Sequence, residues 1–338
     1  MNRVKAFLKK KDVVFSLKRY GIDALSSMAL GLFSSLVVGL IMREIGTHAG
    51  LSFLVQAGTF AMSLTGASIG AAVAFGLKAP NMVLFSSIIT GFIGNELGGP
   101  AGAFVAAAIG AELGKLVSKE TKVDIIVTPV TTIIAGFFAA NWVGPAISAF
   151  MTGIGGLIMW ATELLPLPMG VLVSVIMGLV LTAPISSAAL AIMLDLGGIA
   201  AGAAVAGGCA HMIGFAVASF RENGVGGLIS QGLGTSMLQI PNVVKNPRIL
   251  IPAVAASIAA GPLSTVVFRM ENIPTGAGMG TSGLVGQFGA LSAMGYSANT
   301  FLAIFVVHIL TPAVVALAVS EVMRKKGVIK DGDMKLDL

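Results

Sequence analysis

Hydrophobic residues run along this chain in long stretches that are separated by short polar or glycine-rich segments. A helix needs roughly 20 predominantly apolar residues to cross the ~30 Å hydrocarbon layer of a membrane. The pattern therefore predicts an all-α polytopic membrane protein with about ten transmembrane helices. They are expected over approximately 24–42, 52–76, 80–95, 100–117, 124–141, 145–162, 169–190, 199–219, 249–268 and 299–322.

Composition supports this class and excludes others. Of the 338 residues, 56% are hydrophobic and 11% are charged, whereas about 25% charged residues is usual in soluble domains. DNA-binding, secreted and cytosolic-enzyme classes are therefore excluded, and no nucleic-acid partner is expected. The charges concentrate at the ends of the chain, which predicts a basic N-terminal segment (1–20), a transmembrane domain (21–323) and a cytoplasmic tail (324–338).

Lysine and arginine indicate the sidedness, because cytoplasmic loops of membrane proteins are enriched in them. With ten spans and a cytoplasmic N-terminus, 19 of the 21 basic residues face the cytoplasm, and only Arg43 and Arg269 face outward. This distribution predicts a multi-pass protein of a bacterial plasma membrane with both termini inside.

Two interpretations are open for the basic leader. Phe7, Leu8 and Phe15 share one half of a helical wheel with Lys5 opposite, which favours an amphipathic helix on the inner leaflet. Lys10, Lys11 and Lys18 fall on the apolar half, which favours a loosely ordered basic anchor.

Two segments fit neither an exposed loop nor a complete span. We name 221–244 (RENGVGGLISQGLGTSMLQIPNVV) the first glycine-rich segment and 271–289 (ENIPTGAGMGTSGLVGQFG) the second. Irregular backbone at membrane depth persists only when it is buried in protein or lines a water-filled cavity. Both segments are therefore predicted to be re-entrant hairpins, which commonly form substrate sites in transporters.

A short motif recurs along the chain. Glu96-Leu97-Gly98-Gly99 is followed by a helix of small residues, and Asp195-Leu196-Gly197-Gly198 repeats this arrangement 99 positions later. An internal duplication explains the recurrence, and so does a chance match between glycine- and alanine-rich helices.

Polar residues in an apolar interior are costly and are functional candidates by default. Glu271, with Asn272 beside it, can accept hydrogen bonds from substrate hydroxyls, or Glu271 can form an interfacial ion pair with Arg269. His211 and Glu96 are further candidates for binding substrate. The alternative for His211 is a hydrogen bond to a neighbouring helix, and the alternative for Glu96 is a charge at the end of a helix. The glycine-rich segments supply uncharged donors and acceptors for a sugar or polyol, at Gln231, Gln239, Asn242, Thr281, Ser282 and Gln287. The alternative is that these side chains hydrogen-bond the backbone of the segments themselves.

No enzyme motif occurs in the sequence, so no catalytic residue and no cofactor is expected. The single cysteine, Cys209, excludes a disulfide framework and a multi-cysteine metal site.

The motifs VKNPRILIP (244–252) and PTGAGMGTSG (274–283), together with the ten-span layout and the two interrupted segments, resemble a bacterial family. This family is the membrane-embedded IIC component of the sugar phosphotransferase system, in particular its stand-alone, perfringolysin-regulator-like branch. The resemblance implies a homodimeric transporter in which Glu271 and His211 hold a sugar. It also implies that a separate cytoplasmic IIB protein, supplied through IIA, phosphorylates that sugar.

Two functions follow from these observations. The chain is either a transporter of a small polar solute, with a sugar as the expected solute, or a membrane sensor that kept the transporter fold and binds a ligand without transport. Uptake into liposomes separates the two.

The sidedness makes a direct prediction. A reporter fused after Leu338 should be active only in the cytoplasm, because the tail carries five of the basic residues. Paired fusions of alkaline phosphatase and a fluorescent protein measure this, and phosphatase activity at that position would contradict the assignment.

Overall fold

The computed structural model describes residues 2–16 and 18–336, which form helices and turns with no strand among them. The chain divides into two compact units. Unit 1 comprises residues 1–39 and 53–150, and unit 2 comprises residues 40–52 and 151–338.

Unit 1 is built from a short leader helix and the longer helices that follow it. These are α1 (Asn2–Lys10), the first part of α2 (Arg19–Thr47), α3 (Ser52–Ser63), α4 (Thr65–Gly76), α5 (Asn81–Val117) and the first part of α6 (Asp124–Thr162).

Close packing in unit 1 rests on small residues. Gly66 and Gly70 stand one turn apart on α4 and lie directly against Gly91 and Ser87 of α5. A side chain at any of these glycines would overlap the backbone of the other helix. Small residues spaced by four allow two membrane helices to approach this closely.

The leader of unit 1 forms a helix, and the residues after it bind the ends of α4 and α5. Arg19 and Lys115 both donate to the backbone carbonyl of Leu77, and Lys115 also forms a buried ion pair with Glu112 at 3.1 Å. Lys11 pairs with Glu120, and this hydrogen bond holds the pKa of the Glu120 carboxyl below its usual value. The basic leader is thus tied to the unit by specific contacts.

Unit 2 holds the two glycine-rich segments among longer helices. Its helices are the last parts of α2 and α6, then α7 (Pro166–Thr182), α8 (Ser187–Met193), α9 (Gly198–Ala218), α10 (Phe220–Ile229), α11 (Ile240–Lys245), α12 (Pro247–Val267), α13 (Pro274–Ala277), α14 (Val285–Met294) and α15 (Ala298–Lys325).

Helix α9 is the centre of unit 2, and most of it is buried. It packs on α7, where Gly207 lies against the backbone of Ser174. Gly170, one turn before Ser174, lies in the same way against Gly261 of α12. The hydroxyl of Ser174 adds an interhelical hydrogen bond of 2.8 Å to the carbonyl of Ser257.

The recurring motif has the same backbone feature in both copies. Gly99 breaks α5 at a φ of +60°, and Gly198 begins α9 at a φ of +59°. Positive φ is readily adopted only by glycine. In each copy a glycine therefore starts a helix of small residues, as the sequence predicts.

Six described helices are long and apolar enough to cross a membrane, or seven if the bent pair α3 and α4 is one span. Helix α5, with 37 residues, covers two predicted spans and is broken between them at Gly98 and Gly99. Helix α6, with 39 residues, also covers two predicted spans. The count of ten spans stays a prediction, whereas the all-helical polytopic class is confirmed.

The packing of α9 predicts the effect of one added methyl group. Gly207→Ala should destabilise the protein by about 1–3 kcal/mol, because the new Cβ overlaps the Ser174 backbone. Thermal unfolding of the purified protein in detergent measures this as a lower Tm. The matched control is Gly156→Ala in α6, where nothing beyond the neighbouring backbone of its own helix lies within 4 Å of the added Cβ. Equal Tm values for the two variants would contradict the prediction.

Candidate functional site

The two glycine-rich segments are bound to each other through hydroxyl groups. Thr281 donates from Oγ1 to the carbonyl of Gly232, and Ser282 donates from Oγ to the carbonyl of Gly234 at 2.7 Å. Gly280, with a φ of +54°, lies directly against the backbone of Gly208 on α9. The hydroxyls that the sequence predicts to bind substrate therefore hold the segments together beside α9.

His211 lies on α9 and is fully buried. Its Nδ1 lies 2.7 Å from Oγ1 of Thr182, and that hydroxyl lies 2.9 Å from Oγ of Ser236 in the first glycine-rich segment. We call His211, Thr182 and Ser236 the His211 cluster. Within the described residues, Nε2 of His211 has no hydrogen-bond partner.

A second polar cluster contacts the opposite side of α9. Nε2 of Gln287 lies 3.2 Å from Nδ1 of His308 and 3.4 Å from Sγ of Cys209. Cys209 and His211 are two positions apart, which places them about 200° apart around the helix. In this His308 cluster, formed by His308, Gln287 and Cys209, no described group hydrogen-bonds to Gln287 Oε1 or to His308 Nε2.

Asn272 fixes the beginning of the second glycine-rich segment through backbone and side-chain hydrogen bonds. Its backbone forms a pair of 3.1 Å hydrogen bonds with Gly198, and its side-chain amide donates to the carbonyl of Gly286 at 2.7 Å. Its Oδ1 accepts from the N–H of Ile273 at 2.9 Å. Asn272 thus holds the segment against the start of α9.

The two predicted carboxylates are exposed. Glu271 lies next to Asn272, and its side chain forms neither a hydrogen bond nor an ion pair with Arg269 or any other described residue. Glu96 lies on α5 in unit 1, just before the break at Gly98. Their predicted roles in binding substrate remain predictions.

Gln231 belongs to a chain of buried amides. It donates to Oγ of Ser219 at 2.9 Å and accepts from Gln239 at 2.8 Å, and Gln239 in turn accepts from Asn242 at 2.9 Å. We call Gln231, Gln239 and Asn242 the amide chain. Gln231 also donates to the carbonyl of Gly227 at 3.0 Å, while Gln239 and Asn242 donate to backbone carbonyls of the C-terminal tail, at Met334 and Lys335.

Thr182 and Ser236 were not among the residues predicted from the sequence. A signal for Ser236 exists, because Gly234-Thr235-Ser236 in the first segment repeats as Gly280-Thr281-Ser282 in the second. Thr182 ends an ordinary apolar helix and carries no such signal.

A cavity of about 370 Å³ opens beside the second glycine-rich segment. It is lined on one side by Glu44, Ile45 and Ala49, and on the other by Gly283, Leu284 and Phe288. Glu44 was also missed from the sequence, since it lies at the predicted end of a span. The cavity joins a carboxylate, an aromatic ring and glycine backbone, which are groups suited to a polar organic ligand.

The chemistry of these clusters is neutral hydrogen bonding. The described residues contain no group of three or more His, Cys, Asp or Glu side chains that can hold a metal ion. Imidazole, amide and hydroxyl groups instead match a ligand with several hydroxyls.

The bridging hydroxyl of the His211 cluster gives a testable consequence. Thr182→Val should destabilise the protein by about 1–3 kcal/mol, because it leaves buried polar atoms of His211 and Ser236 without their partner. Thermal unfolding in detergent measures the loss. The control is Thr59→Val, an exposed position whose hydroxyl bonds only within its own helix, to Val55 at 2.7 Å. A Tm equal to that of the control would show that the bridge contributes nothing.

Comparison with known proteins assigns the family. A family model described as "Phosphotransferase system, EIIC" matches residues 22–336, nearly the whole chain. No curated protein and no solved structure matches it. With the apolar helices described above, this match makes the chain a multi-pass membrane protein and a permease component, and the chain belongs to the EIIC family of the phosphotransferase system.

Proposed function

We propose that this EIIC protein carries a sugar across a bacterial plasma membrane, with both of its termini in the cytoplasm. A separate IIB protein, supplied through IIA, phosphorylates the sugar as it arrives. The observation that carries the proposal is a set of buried polar atoms without hydrogen-bond partners among the described residues. In unit 2 such atoms also occur at Ser264, Glu222 and Arg324, and those in the two clusters are Nε2 of His211, Nε2 of His308 and Oε1 of Gln287.

A buried polar atom that lacks a partner costs about 1–3 kcal/mol, and such atoms are rare in native proteins. A sugar hydroxyl both donates and accepts, so it can satisfy an imidazole nitrogen in either tautomer and also an amide oxygen. The three atoms of the His211 and His308 clusters belong to imidazole and amide side chains, which favours a neutral polyhydroxy ligand over an ion.

The contact between the two glycine-rich segments supports a site inside the membrane. On the proposed sidedness, the first segment follows the cytoplasmic end of α9, and the second follows the outer end of α12. The hydrogen bonds of Thr281 and Ser282 then join segments that enter from opposite surfaces. Transporters place their substrate sites at such meeting points near the midplane.

The separate IIB protein and a homodimeric assembly are further parts of the proposal, and both rest on family membership. Membranes that contain this protein should form sugar phosphate only when IIA, IIB and phosphoenolpyruvate are all added. Cross-linking in native membranes should yield a dimer. Sugar phosphate formed without IIB, or a monomer under all cross-linking conditions, would contradict the corresponding part.

Substitution of Gln287 tests the sugar site. Gln287→Leu removes the partnerless Oε1 together with the donor to His308, so a sugar that stabilises the native protein should bind at least about tenfold more weakly. A thermal-shift screen of sugars and polyols first identifies the ligand, and uptake into proteoliposomes then measures transport. The matched control is Gln56→Leu, an exposed glutamine of α3.

The outcomes separate transport from sensing. Uptake by the native protein and by Gln56→Leu, with loss of uptake in Gln287→Leu, supports the proposal. Failure of every carbohydrate to stabilise the native protein would contradict a sugar ligand. Stabilisation by a sugar without any uptake would favour a sensor.

A further inference from the structure

The C-terminal tail is bound to unit 2 over most of its length. Ile329 and Met334 are 1% and 0% exposed, and they pack with Phe215 at the end of α9 and with Ile249 of α12. Residues 329–336, which we call the strap, therefore contribute to the core of unit 2.

Side-chain amides hold the backbone of the strap. Asn223 donates to the carbonyl of Met334 at 2.9 Å and accepts from the N–H of Leu336 at 2.8 Å. Gln239 donates to the same Met334 carbonyl at 3.0 Å, and Asn242 donates to the carbonyl of Lys335 at 2.8 Å. All of these bonds reach strap backbone, so they fix its path whatever side chains it carries.

A buried ion pair anchors the beginning of the strap. Arg324 and Glu222 are each 7% exposed at the side chain and lie 3.2 Å apart. Glu222 also accepts from the backbone N–H of Gly332 at 3.0 Å. Removal of Arg324 would leave the buried carboxylate of Glu222 without a cationic partner among the described residues, which is strongly destabilising. The pair therefore keeps the tail attached to the first glycine-rich segment.

The strap is connected to the His211 cluster through a single turn of 3₁₀ helix, Ser236–Gln239. Ser236, at its start, bonds Thr182 of the His211 cluster. Gln239, at its end, bonds Gln231 and the strap. The His211 cluster and the strap are thus bonded to the two ends of the same four-residue turn.

The first glycine-rich segment also has a point about which it can pivot. Gly224 interrupts α10 with a φ of +57° and a ψ of −153°, a conformation available only to glycine. Hinges are formed by a few residues that absorb large backbone changes. Beyond Gly224, the described contacts that oppose movement include the amide chain, the strap and the bonds of Thr281 and Ser282 to the carbonyls of Gly232 and Gly234.

We propose that the strap is a latch that holds the first glycine-rich segment closed over the His211 cluster, and that its release opens this cluster to the cytoplasm. The latch deepens the proposed function, since it regulates access to the proposed sugar site. In this arrangement Asn223 and Asn242 are positioning residues, because they act on the site only through the strap.

Hydrogen exchange tests the latch without any sugar. In the full-length variant Asn223→Ala/Asn242→Ala, amides of residues 230–242 should exchange at least about tenfold faster than in the native protein, because local opening becomes easier. Amides of α7 in unit 2 should keep their native rates, which shows that unit 2 of the variant is folded. The matched control is Asn141→Ala, an exposed amide that bonds only within its own helix, to Phe137.

A second variant changes the strap alone. Leu336→Pro removes the N–H that Asn223 binds and leaves the first glycine-rich segment intact. Faster exchange of residues 230–242 in both variants supports the latch. Native exchange in either variant, while the control behaves as the native protein does, overturns it.

Sugar counterflow in proteoliposomes distinguishes failure of the latch from failure of the proposed function. Where the native protein shows flux, the two strap variants should exchange sugar several-fold faster, and unchanged flux would overturn the latch. Faster hydrogen exchange combined with no flux in any form of the protein would support the latch and overturn the sugar permease.

Discussion

Gly207 lies against the backbone of Ser174, and this approach of α9 to α7 positions much of what unit 2 contains. One turn further along, the ring of His211 lies over Gly178, where any side chain would overlap it. The same approach brings His211 within hydrogen-bonding distance of Thr182, one turn after Gly178. Small residues thus set the helix spacing, and the spacing in turn places the imidazole.

Lipid changes which forces hold such a protein together. Lipid tails are as apolar as leucine side chains, so helices associate through close packing and interhelical hydrogen bonds. Most interior polar residues of unit 2 serve this purpose, as Ser174 does with the carbonyl of Ser257 and Asn272 with that of Gly286. The few polar atoms that find no partner among the described residues are therefore the informative ones. Those in the His211 and His308 clusters belong to His211, His308 and Gln287.

The helical class, the break of α5 at Gly98 and Gly99, the start of α9 at Gly198 and the positions of both glycine-rich segments could be predicted from the sequence. Hydropathy indicates which segments are helices in the membrane, and glycine indicates where the backbone departs from a helix. The partners of individual side chains could not. Gln231 and Gln287 are both glutamines in glycine-rich surroundings, yet Gln231 is satisfied by protein groups while Gln287 keeps a buried oxygen unpaired. An amide satisfies a ligand and a neighbouring backbone equally well, so only the tertiary arrangement separates them. Thr182 could not be predicted for the same reason, because only the folded structure places it beside His211.

The bonds of Thr281 and Ser282 to the carbonyls of Gly232 and Gly234 have a mechanical consequence. Neither glycine-rich segment can shift alone without leaving a buried carbonyl and a hydroxyl unsatisfied. During a transport cycle the cross-bonded turns would move as one rigid piece. Alternating access of the site to the two membrane surfaces would then come from bending of the backbone on either side of this piece, while the bonded turns themselves keep their shape.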